Sequence, residues 1–137
     1  MERMIFVNLP VTDLSRSMHF YEAIGAVNVP EFTDDSAAMM RFSDAICVML
    51  LTRPRFSSYT DREIIDAHRS AQAAFALSEQ SREAVDDMVQ RGAGSGGLAD
   101  PNPMQDHGFM YARSIADPDG HIWEPVWMDM SAMPEPA

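Results

Sequence analysis

The amino-acid sequence predicts a small soluble α+β domain made of two similar halves, each with a strand, a helix and then further strands. Three observations lead to this prediction. The chain has 137 residues, 46% of them hydrophobic, which suits one packed core. Apolar residues change from a period of two to a helical period near residue 13, and they do so again near residue 80. A polar connector over residues 52–70 separates the two halves.

The first half begins with a strand over residues 4–11, MIFVNLPV, in which apolar residues alternate along one face. Asp13 is the expected N-cap of a helix, since its carboxylate can accept hydrogen bonds from the first turn. Gly25 ends this helix, because glycine takes a positive φ at little cost. The apolar stripe of the helix consists of Leu14, Ser17, Met18, Phe20, Tyr21 and Ile24. Three more strands are predicted over residues 27–31, 37–42 and 45–51.

The second half starts in the same way. A strand over residues 73–77 precedes a helix that begins at Ser78 or Gln80 and ends at Gly92. The segment 92–103 is rich in glycine and proline, so we expect a loop or an irregular strand there.

Two further signals lie in the connector and near the end of the chain. Thr60 and Glu63 have the spacing of a capping box, which predicts a short helix through about residue 67. The sequence Asp-Pro-Asp-Gly at residues 117–120 predicts a tight turn. This turn joins strands over residues 108–115 and 121–128, and the tail over residues 131–137 is expected to fray.

The order of elements indicates an internal repeat. A shift of 67 residues lays Leu9 on Ala76 and Gly25 on Gly92, which matches the lengths of the two helices. Two such units would bury faces that neither half can bury alone and would enclose a cleft between them.

Composition limits the possible partners and the location of the chain. The net charge of -11 argues against nucleic acid, because phosphates would be repelled by most of the surface. No stretch approaches the roughly 20 apolar residues that a membrane span needs, and the first residues lack the features of a signal peptide. A single cysteine, Cys47, permits no internal disulfide, so we expect a cytoplasmic protein.

Two segments carry a family resemblance. FVNLPVTDLSRSMHFYEAIG near the start and DPDGHIWEPVW near the end resemble the glyoxalase and bleomycin-resistance group of the vicinal oxygen chelate superfamily, in particular its predicted lactoylglutathione lyase branch. The resemblance covers residues 4–129. It implies two βαβββ modules, over about 4–51 and 72–129, that form an open, curved mixed sheet around a pocket with the helices on the outer face. It also implies a homodimer.

The resemblance also implies where a metal ion would bind. In metal-using members of the family, four strands each supply one ligand, and these positions fall on Phe6, Met49, Ala74 and Glu124. Only Glu124 can bind a metal, whereas a catalytic divalent ion needs about three protein ligands and an open position. We therefore predict that the chain uses neither a metal ion nor another cofactor.

The four histidines show no metal-ligand spacing. His19 and His68 are expected in solvent and His121 at a surface or capping position. His107 precedes a strand at the mouth of the predicted cleft. An atypical metal site made of His107, Asp106 and the remaining glutamate stays an alternative.

Glu124 is the candidate catalytic residue. Alternation puts it on a strand face with Ile122 and Val126, where a buried carboxylate must be paired, hydrated or in a cleft. Desolvation would raise its pKa and suit it to act as a general base. A salt bridge with Arg113 on the preceding strand is the alternative, and the two interpretations are compatible.

Strand alternation nominates further pocket residues. Phe6 and Asn8 share one face of the first strand, and Cys47 shares the face of the fourth-strand position. Tyr111 and Arg113 share a strand face whose direction the sequence leaves open, and Arg113 suits a carboxylate or a phosphate. The predicted pocket-lining residues are Phe6, Asn8, Cys47, Met49, Ala74, His107, Tyr111 and Arg113.

Three functions are compatible with these features. The first is metal-independent binding of an apolar or aromatic small molecule, as in bleomycin-resistance proteins. The second is a lyase or isomerase that uses Glu124 as base, with an atypical metal site or none. The third is an interaction or structural module whose pocket is filled by its own methionines. Because three of the four ligand positions carry no suitable donor, lactoylglutathione lyase activity is not expected.

Overall fold

The computed structural model describes residues 1–132 and 134, so Met133 and residues 135–137 of the tail predicted to fray lie outside the described part. The first half contains β1 (Ile5–Val11), α1 (Leu14–Ala23), β2 (Val27–Val29), β3 (Ala37–Ser43) and β4 (Ile46–Thr52). Its strands form one sheet in the order β1-β4-β3-β2, with β1 and β4 parallel and the other neighbours antiparallel.

Helix α1 begins and ends at the predicted residues. The Asp13 side chain accepts a hydrogen bond from the Arg16 N–H at 3.1 Å, which satisfies a donor of the first turn. At the other end Gly25 has a φ of +111°, and the Ala26 N–H donates to the Tyr21 carbonyl at 2.9 Å. This is the bond of a Schellman motif, which satisfies a carbonyl of the last turn.

The prediction of a strand over residues 27–31 is too long. Strand β2 ends at Val29 because Pro30 has no N–H for the sheet ladder and begins a short 3₁₀ helix, Pro30–Phe32.

The connector helix predicted over residues 60–67 is not found there, and a helix forms earlier in the connector. The short helix α2 (Arg53–Ser57) lies directly after β4, where the Thr52 hydroxyl accepts from the Arg55 N–H at 3.4 Å and Pro54 occupies the first turn. Proline is tolerated there because the first-turn N–H groups have no helical partner. The Thr60 hydroxyl instead accepts from the Arg62 N–H at 3.1 Å in a local turn, and residues 60–66 contain no helix.

The second half is more irregular than predicted. It contains β5 (Ala74–Ser78), α3 (Arg82–Ala93), β6 (Leu98–Ala99), β7 (Gln105–Asp106), β8 (Met110–Ala112), β9 (Ile115–Ala116) and β10 (Ile122–Met128). The sheet order is β6-β9-β10-β8-β7, with β5 parallel to β10 on its other edge. The single strand predicted over residues 108–115 is therefore two short strands, which pair with different parts of β10.

The two halves share the order strand, helix and further strands, but their first strands align at a shift of 68 residues rather than 67. The N-caps Asp13 and Ser81 are 68 residues apart, and each accepts from the N–H three residues later. The same shift aligns Leu9 with Leu77, and both are buried. The predicted shift of 67 would align Leu9 with the exposed Ala76, so it is wrong for the strands.

Gly92 does not end α3, which continues to Ala93 and is capped at Gly94. A methyl group at Gly92 would lie 2.8 Å from Ile115 Cγ1 and 3.0 Å from the Phe20 ring. The glycine therefore allows α3 to approach the core more closely than alanine would.

An aromatic cluster joins the two halves. The Trp123 side chain on β10 is 1% exposed, and its ring lies 5.9 Å from Tyr21 on α1 and 5.4 Å from Phe42 on β3. Phe75 on β5 completes the cluster at 5.0 Å from Trp123. The helices cover this face of the sheets, and the whole forms a curved, open half-barrel of α+β class, as predicted. Among the described residues, no helix has the length and apolar character needed to cross a bilayer.

Candidate functional site

The sheet face opposite the helices, called the open face below, carries Glu124 and most of the other positions singled out in the sequence. In β1, Leu9 and Val11 are buried on the helix side, so Phe6 and Asn8 alternate onto the open face. The Phe6 side chain is 47% exposed. Asn8 pairs with Met49 of β4 along the parallel ladder, which places both residues on the same stretch of the open face.

The same alternation puts Cys47, Ala74 and Glu124 on the open face of their strands. Cys47 is nevertheless buried, whereas Ala74 is exposed beside Ile122, its partner on β10. Glu124 pairs with Ala76 and is half-buried. The open face is therefore largely apolar, with Glu124 as its carboxylate.

A cavity of about 270 Å³ lies where β1, β5 and the start of β10 meet the connector, and we call it the connector cavity. Its apolar lining includes Leu9, Pro10, Phe56, Ile64, Phe75 and Ile122. Polar atoms come from a smaller set of lining residues, Asn8, Glu63, Ser70, Gln72 and His121. Apolar walls with a few polar groups are typical of small-molecule sites.

A second cavity of about 460 Å³, the α2 cavity, adjoins the first and shares Asn8 and Phe56 with it. Arg55 of α2 stands on its wall with its guanidinium held by the Tyr59 hydroxyl at 2.8 Å and the Ser36 hydroxyl at 2.7 Å. Met49 lines this cavity as well. The two cavities together extend over the open face of β1 and β4.

Glu124 lies in a separate polar recess of about 270 Å³, whose other polar lining residues are Asn102, Gln105, Arg113 and Ser114. The salt bridge considered between Glu124 and Arg113 is not formed, because the guanidinium is engaged elsewhere. Its bonds go to Asp86 on α3 at 3.0 Å and to Asp100 at 2.7 Å.

Arg113 and Tyr111 therefore point toward α3, which settles the direction that the sequence left open. The Tyr111 hydroxyl donates to Asp86 at 2.6 Å, and this bond is the main reason that the pKa of Asp86 is lowered. The bond from Arg113 lowers the pKa of Asp100 in the same way. Both side chains serve to fasten the sheet to α3 and to the Asp100 loop.

The alternative metal site of Glu124, His107 and Asp106 is not assembled. Asp106 accepts two bonds from Arg82, at 2.8 and 2.9 Å, which lower the pKa of its carboxyl to about 2. His107 is exposed, with its ring centroid 6.3 Å from that of Phe109. In the part of the chain that the structure describes, no three His, Cys, Asp or Glu side chains gather as a metal site would require.

His19 and His68 are exposed, as predicted, whereas His121 is half-buried. The His121 Nε2 lies 2.8 Å from the Pro10 carbonyl, which makes it the donor in a bond that holds the end of β1 to the start of β10. The bond links two strands rather than capping a turn, and it places the imidazole at the wall of the connector cavity.

Sequence reasoning missed a buried polar network beneath this cavity. Asp117 is 2% exposed. Its carboxylate accepts hydrogen bonds from the Tyr21 hydroxyl at 2.7 Å and from the His121 N–H at 2.9 Å. The Trp123 indole N–H donates to the Tyr21 oxygen at 2.9 Å. Burial raises the pKa of both Asp117 and Tyr21. The sequence signal was the turn at residues 117–120, which gave no hint of a partner 96 residues away.

The turn also anchors the connector. Gly120 has a φ of +96°, and a methyl group there would lie 2.6 Å from backbone atoms of Ala67 and His68. The connector can therefore pack on the turn only because residue 120 has no side chain. This contact forms one end of the connector cavity.

Comparisons with known proteins agree with this architecture. The family model of the glyoxalase/bleomycin resistance protein/dioxygenase superfamily matches residues 3–124. The chain therefore belongs to this superfamily. No curated protein matches the chain significantly.

Solved structures with the same fold are numerous. A hypothetical protein from S. aureus is 22% identical with a TM-score of 0.76, over 93% of this chain and 94% of that one. A glyoxalase-related enzyme from Fulvimarina pelagi is 21% identical with a TM-score of 0.76, over 93% and 88%. A fosfomycin resistance protein from Mesorhizobium loti is 16% identical with a TM-score of 0.67, over 96% of each chain. At these identities the likeness shows the fold alone.

Proposed function

We propose that this chain binds a small apolar or aromatic compound in the connector cavity and does so without a metal ion. The observation that carries the proposal is the cavity itself, which has apolar walls from β1, β5 and the connector around a few polar atoms. Burial of apolar ligand surface against such walls supplies about 25 cal/mol per Å². The connector forms one wall and lacks regular structure over residues 60–66, so it can adapt to a ligand.

The polar side chains of the cavity can hydrogen-bond a neutral ligand, and the one carboxylate among them, Glu63, belongs to an exposed residue. Asn8 is exposed, and among the described residues its Nδ2 makes only a 3.5 Å contact with the Phe6 carbonyl. The amide is therefore available to a hydroxyl or carbonyl of a ligand. The His121 Nε2 is already bonded to the Pro10 carbonyl. Among the residues that the structure describes, no lysine or arginine lines the cavity, so an anionic ligand would find no countercharge beside Glu63.

A divalent metal, which the family implies, does not fit the residues at its positions. Phe6 and Ala74 have no donor atom, and the Met49 thioether is a poor ligand for the hard or borderline ions of such sites. Phe6 and Ala74 are 68 residues apart, which is the shift that aligns the two halves. Each half therefore lacks a metal ligand at the same position of its first strand. For this reason we do not propose lactoylglutathione lyase activity.

A second candidate function is proton transfer by Glu124. Glu124 makes no ion pair or side-chain hydrogen bond within residues 1–132 and 134, and it lies in a recess with the amides of Asn102 and Gln105. Such a carboxylate can accept a proton from a bound substrate. The proposal ranks below simple binding because the recess shares no lining residue with the two apolar cavities. A filled pocket in a purely structural module has less support, since Met49 lines an open cavity.

A homodimer in the cytoplasm stays a prediction. Met4, Ile5 and Phe6 are exposed at the start of β1, and Ile5 is 56% exposed. An apolar edge of this kind suits a second copy of the chain.

Indole binding tests the proposed site. Indole is a neutral aromatic probe of suitable size, and we expect it to raise the melting temperature of the protein because it binds only the folded state. The change Ala73→Phe puts a ring into the connector cavity, which Ala73 lines, and should lower indole affinity about tenfold or more. Isothermal titration calorimetry measures the loss.

The matched control is Ala93→Phe, which adds the same ring at an exposed position at the end of α3. Its affinity for indole should equal that of the unmodified chain. If Ala73→Phe bound indole with unchanged affinity, the connector cavity would not be the binding site. If the unmodified chain bound neither indole nor related neutral aromatics, the proposal would be refuted.

A further inference from the structure

A third cavity, of about 440 Å³, lies at the junction of the two halves and is called the seam cavity here. It is bounded by the end of α1, by β3 and β4 of the first sheet, and by β5 and α3 of the second half. Its apolar side chains belong to Ile24, Phe42, Ile46, Leu77, Ala84 and Met88, and the hydroxyls of Ser43 and Ser78 also line it. None of these residues lines the connector cavity, so the two sites are separate.

The rim of the seam cavity carries three charged residues, Glu79, Asp87 and Arg91. Arg91 and Asp87 lie one turn apart on α3 and form an ion pair at 2.6 Å, so their charges largely cancel. The Glu79 carboxylate forms no hydrogen bond or ion pair with the described residues. The rim therefore has a net charge of one negative unit, centred on Glu79.

Partial burial makes this negative charge unfavourable without a partner. Desolvation raises the pKa of Glu79, and the charge of Arg91 opposes the shift only in part. A cation placed beside the carboxylate would relieve this cost, since an opposite charge favours the ionised form.

The end of α1 adds to the negative potential. Ile24 and Gly25 line the cavity at the carbonyl end of the helix, which bears a partial negative charge. The last turn of α1 contains no basic residue that would offset it. The helix end and Glu79 thus favour the same sign of ligand charge.

We propose that the seam cavity binds a small organic amine, with its ammonium group at Glu79 and its apolar body against Phe42 and Met88. Apolar side chains beside the Glu79 carboxylate fit this class. They fit a metal ion less well, because Asp87 is paired with Arg91 and no three His, Cys, Asp or Glu side chains gather among the described residues. They also fit an anion less well, because Glu79 and the end of α1 would repel it. The amine would touch both halves of the fold, because Phe42 belongs to the first and Met88 to the second.

Three probes that share one phenyl ring test the charge requirement. These are 2-phenylethylamine, which is cationic at neutral pH, the neutral 2-phenylethanol and the anionic phenylacetate. Titrations followed by amide NMR should give a dissociation constant for the amine about tenfold or more below that of the alcohol, and no binding of phenylacetate. Amide signals of residues 77–79 and 88–91 should shift, whereas those of residues 64–73 at the connector should not.

The change Glu79→Gln removes the charge and keeps the shape of the side chain. It should reduce the affinity for the amine to that of the alcohol, and the alcohol should bind as before. Glu83→Gln removes the same charge from an exposed position on α3 outside the cavity and should leave both affinities unchanged. Equal affinity for the amine and the alcohol, or full amine affinity in Glu79→Gln, would overturn the proposal even if indole binds at the connector cavity as proposed above.

Discussion

Replacing Asp117 with alanine is expected to lower the free energy of unfolding by about 3–5 kcal/mol, because it leaves one buried and two partly buried donors without a partner. The carboxylate accepts bonds from the Tyr21 hydroxyl and from the N–H groups of Asp119 and His121. An unsatisfied buried donor costs about 1–3 kcal/mol. The Tyr21 hydroxyl is such a donor, and the two backbone N–H groups, which are partly buried, add smaller costs. The expected loss is a large part of the stability of about 5–15 kcal/mol that is typical of such proteins.

Urea unfolding followed by tryptophan fluorescence measures this loss directly, since Trp123 donates to the Tyr21 oxygen in the same network. The matched control is Asp61→Ala, which removes an exposed carboxylate from the connector. Its effect should stay within about 0.5 kcal/mol. A change of similar size in the two variants would show that the network does not hold the two halves together.

Replacing Gly120 with alanine is expected to cost about 2–4 kcal/mol and to disturb the connector cavity as well. The residue has a φ of +96°, which strains any side chain, and its new methyl group would meet the backbone of Ala67 and His68 at 2.6 Å. Because backbone atoms cannot rotate away as a flexible side chain can, the connector must move off the turn. We expect weaker indole binding together with the loss of stability.

Gly108→Ala separates the effect of backbone strain from the effect of the close contact with the connector. Gly108 also has a positive φ, of +80°, but its methyl group would meet no atom within 4 Å. This variant should therefore lose only the strain contribution, about 1 kcal/mol, and should bind indole normally. If Gly120→Ala and Gly108→Ala were equally stable and bound indole equally well, the contact between the turn and the connector would not shape the cavity.

Features that depend on near neighbours in the chain could be predicted from the sequence. The cap at Asp13, the helix end at Gly25 and the turn at residues 117–120 each rest on side-chain chemistry within a few residues. The family resemblance extended this to the order of the strands. Together they were enough for the α+β class and for the general architecture.

Features that depend on contacts between residues far apart in the chain could not be predicted from the sequence. The role of Gly92 is set by Phe20 and Ile115, which pack against it from other elements. Arg113 binds Asp86 and Asp100 rather than Glu124, because the strand face that carries it turns toward α3. The connector contains two possible helix N-caps, Thr52 and Thr60. The helix forms after Thr52, whereas Thr60 forms only a local turn.

The candidate site shows the same limit. Alternation placed Asn8 and Met49 on one face, and both residues line cavities on that face. The connector cavity itself has walls from Phe56 and Ile64, which lie in the polar connector and carried no signal of their own. Phe56 reaches β1 because α2 directly follows β4, and the connector that carries Ile64 packs on the turn at Gly120.

Metal-independent binding is tested most directly by measuring indole affinity and metal content on the same protein. Calorimetry would compare the protein as purified, after dialysis against EDTA, and after addition of zinc or nickel, with elemental analysis of each sample. We expect one dissociation constant in all three samples and no stoichiometric transition metal in the purified protein, because Phe6, Met49 and Ala74 cannot complete a site around Glu124. One tightly bound metal per chain, with indole binding lost on its removal and restored on its return, would contradict this result.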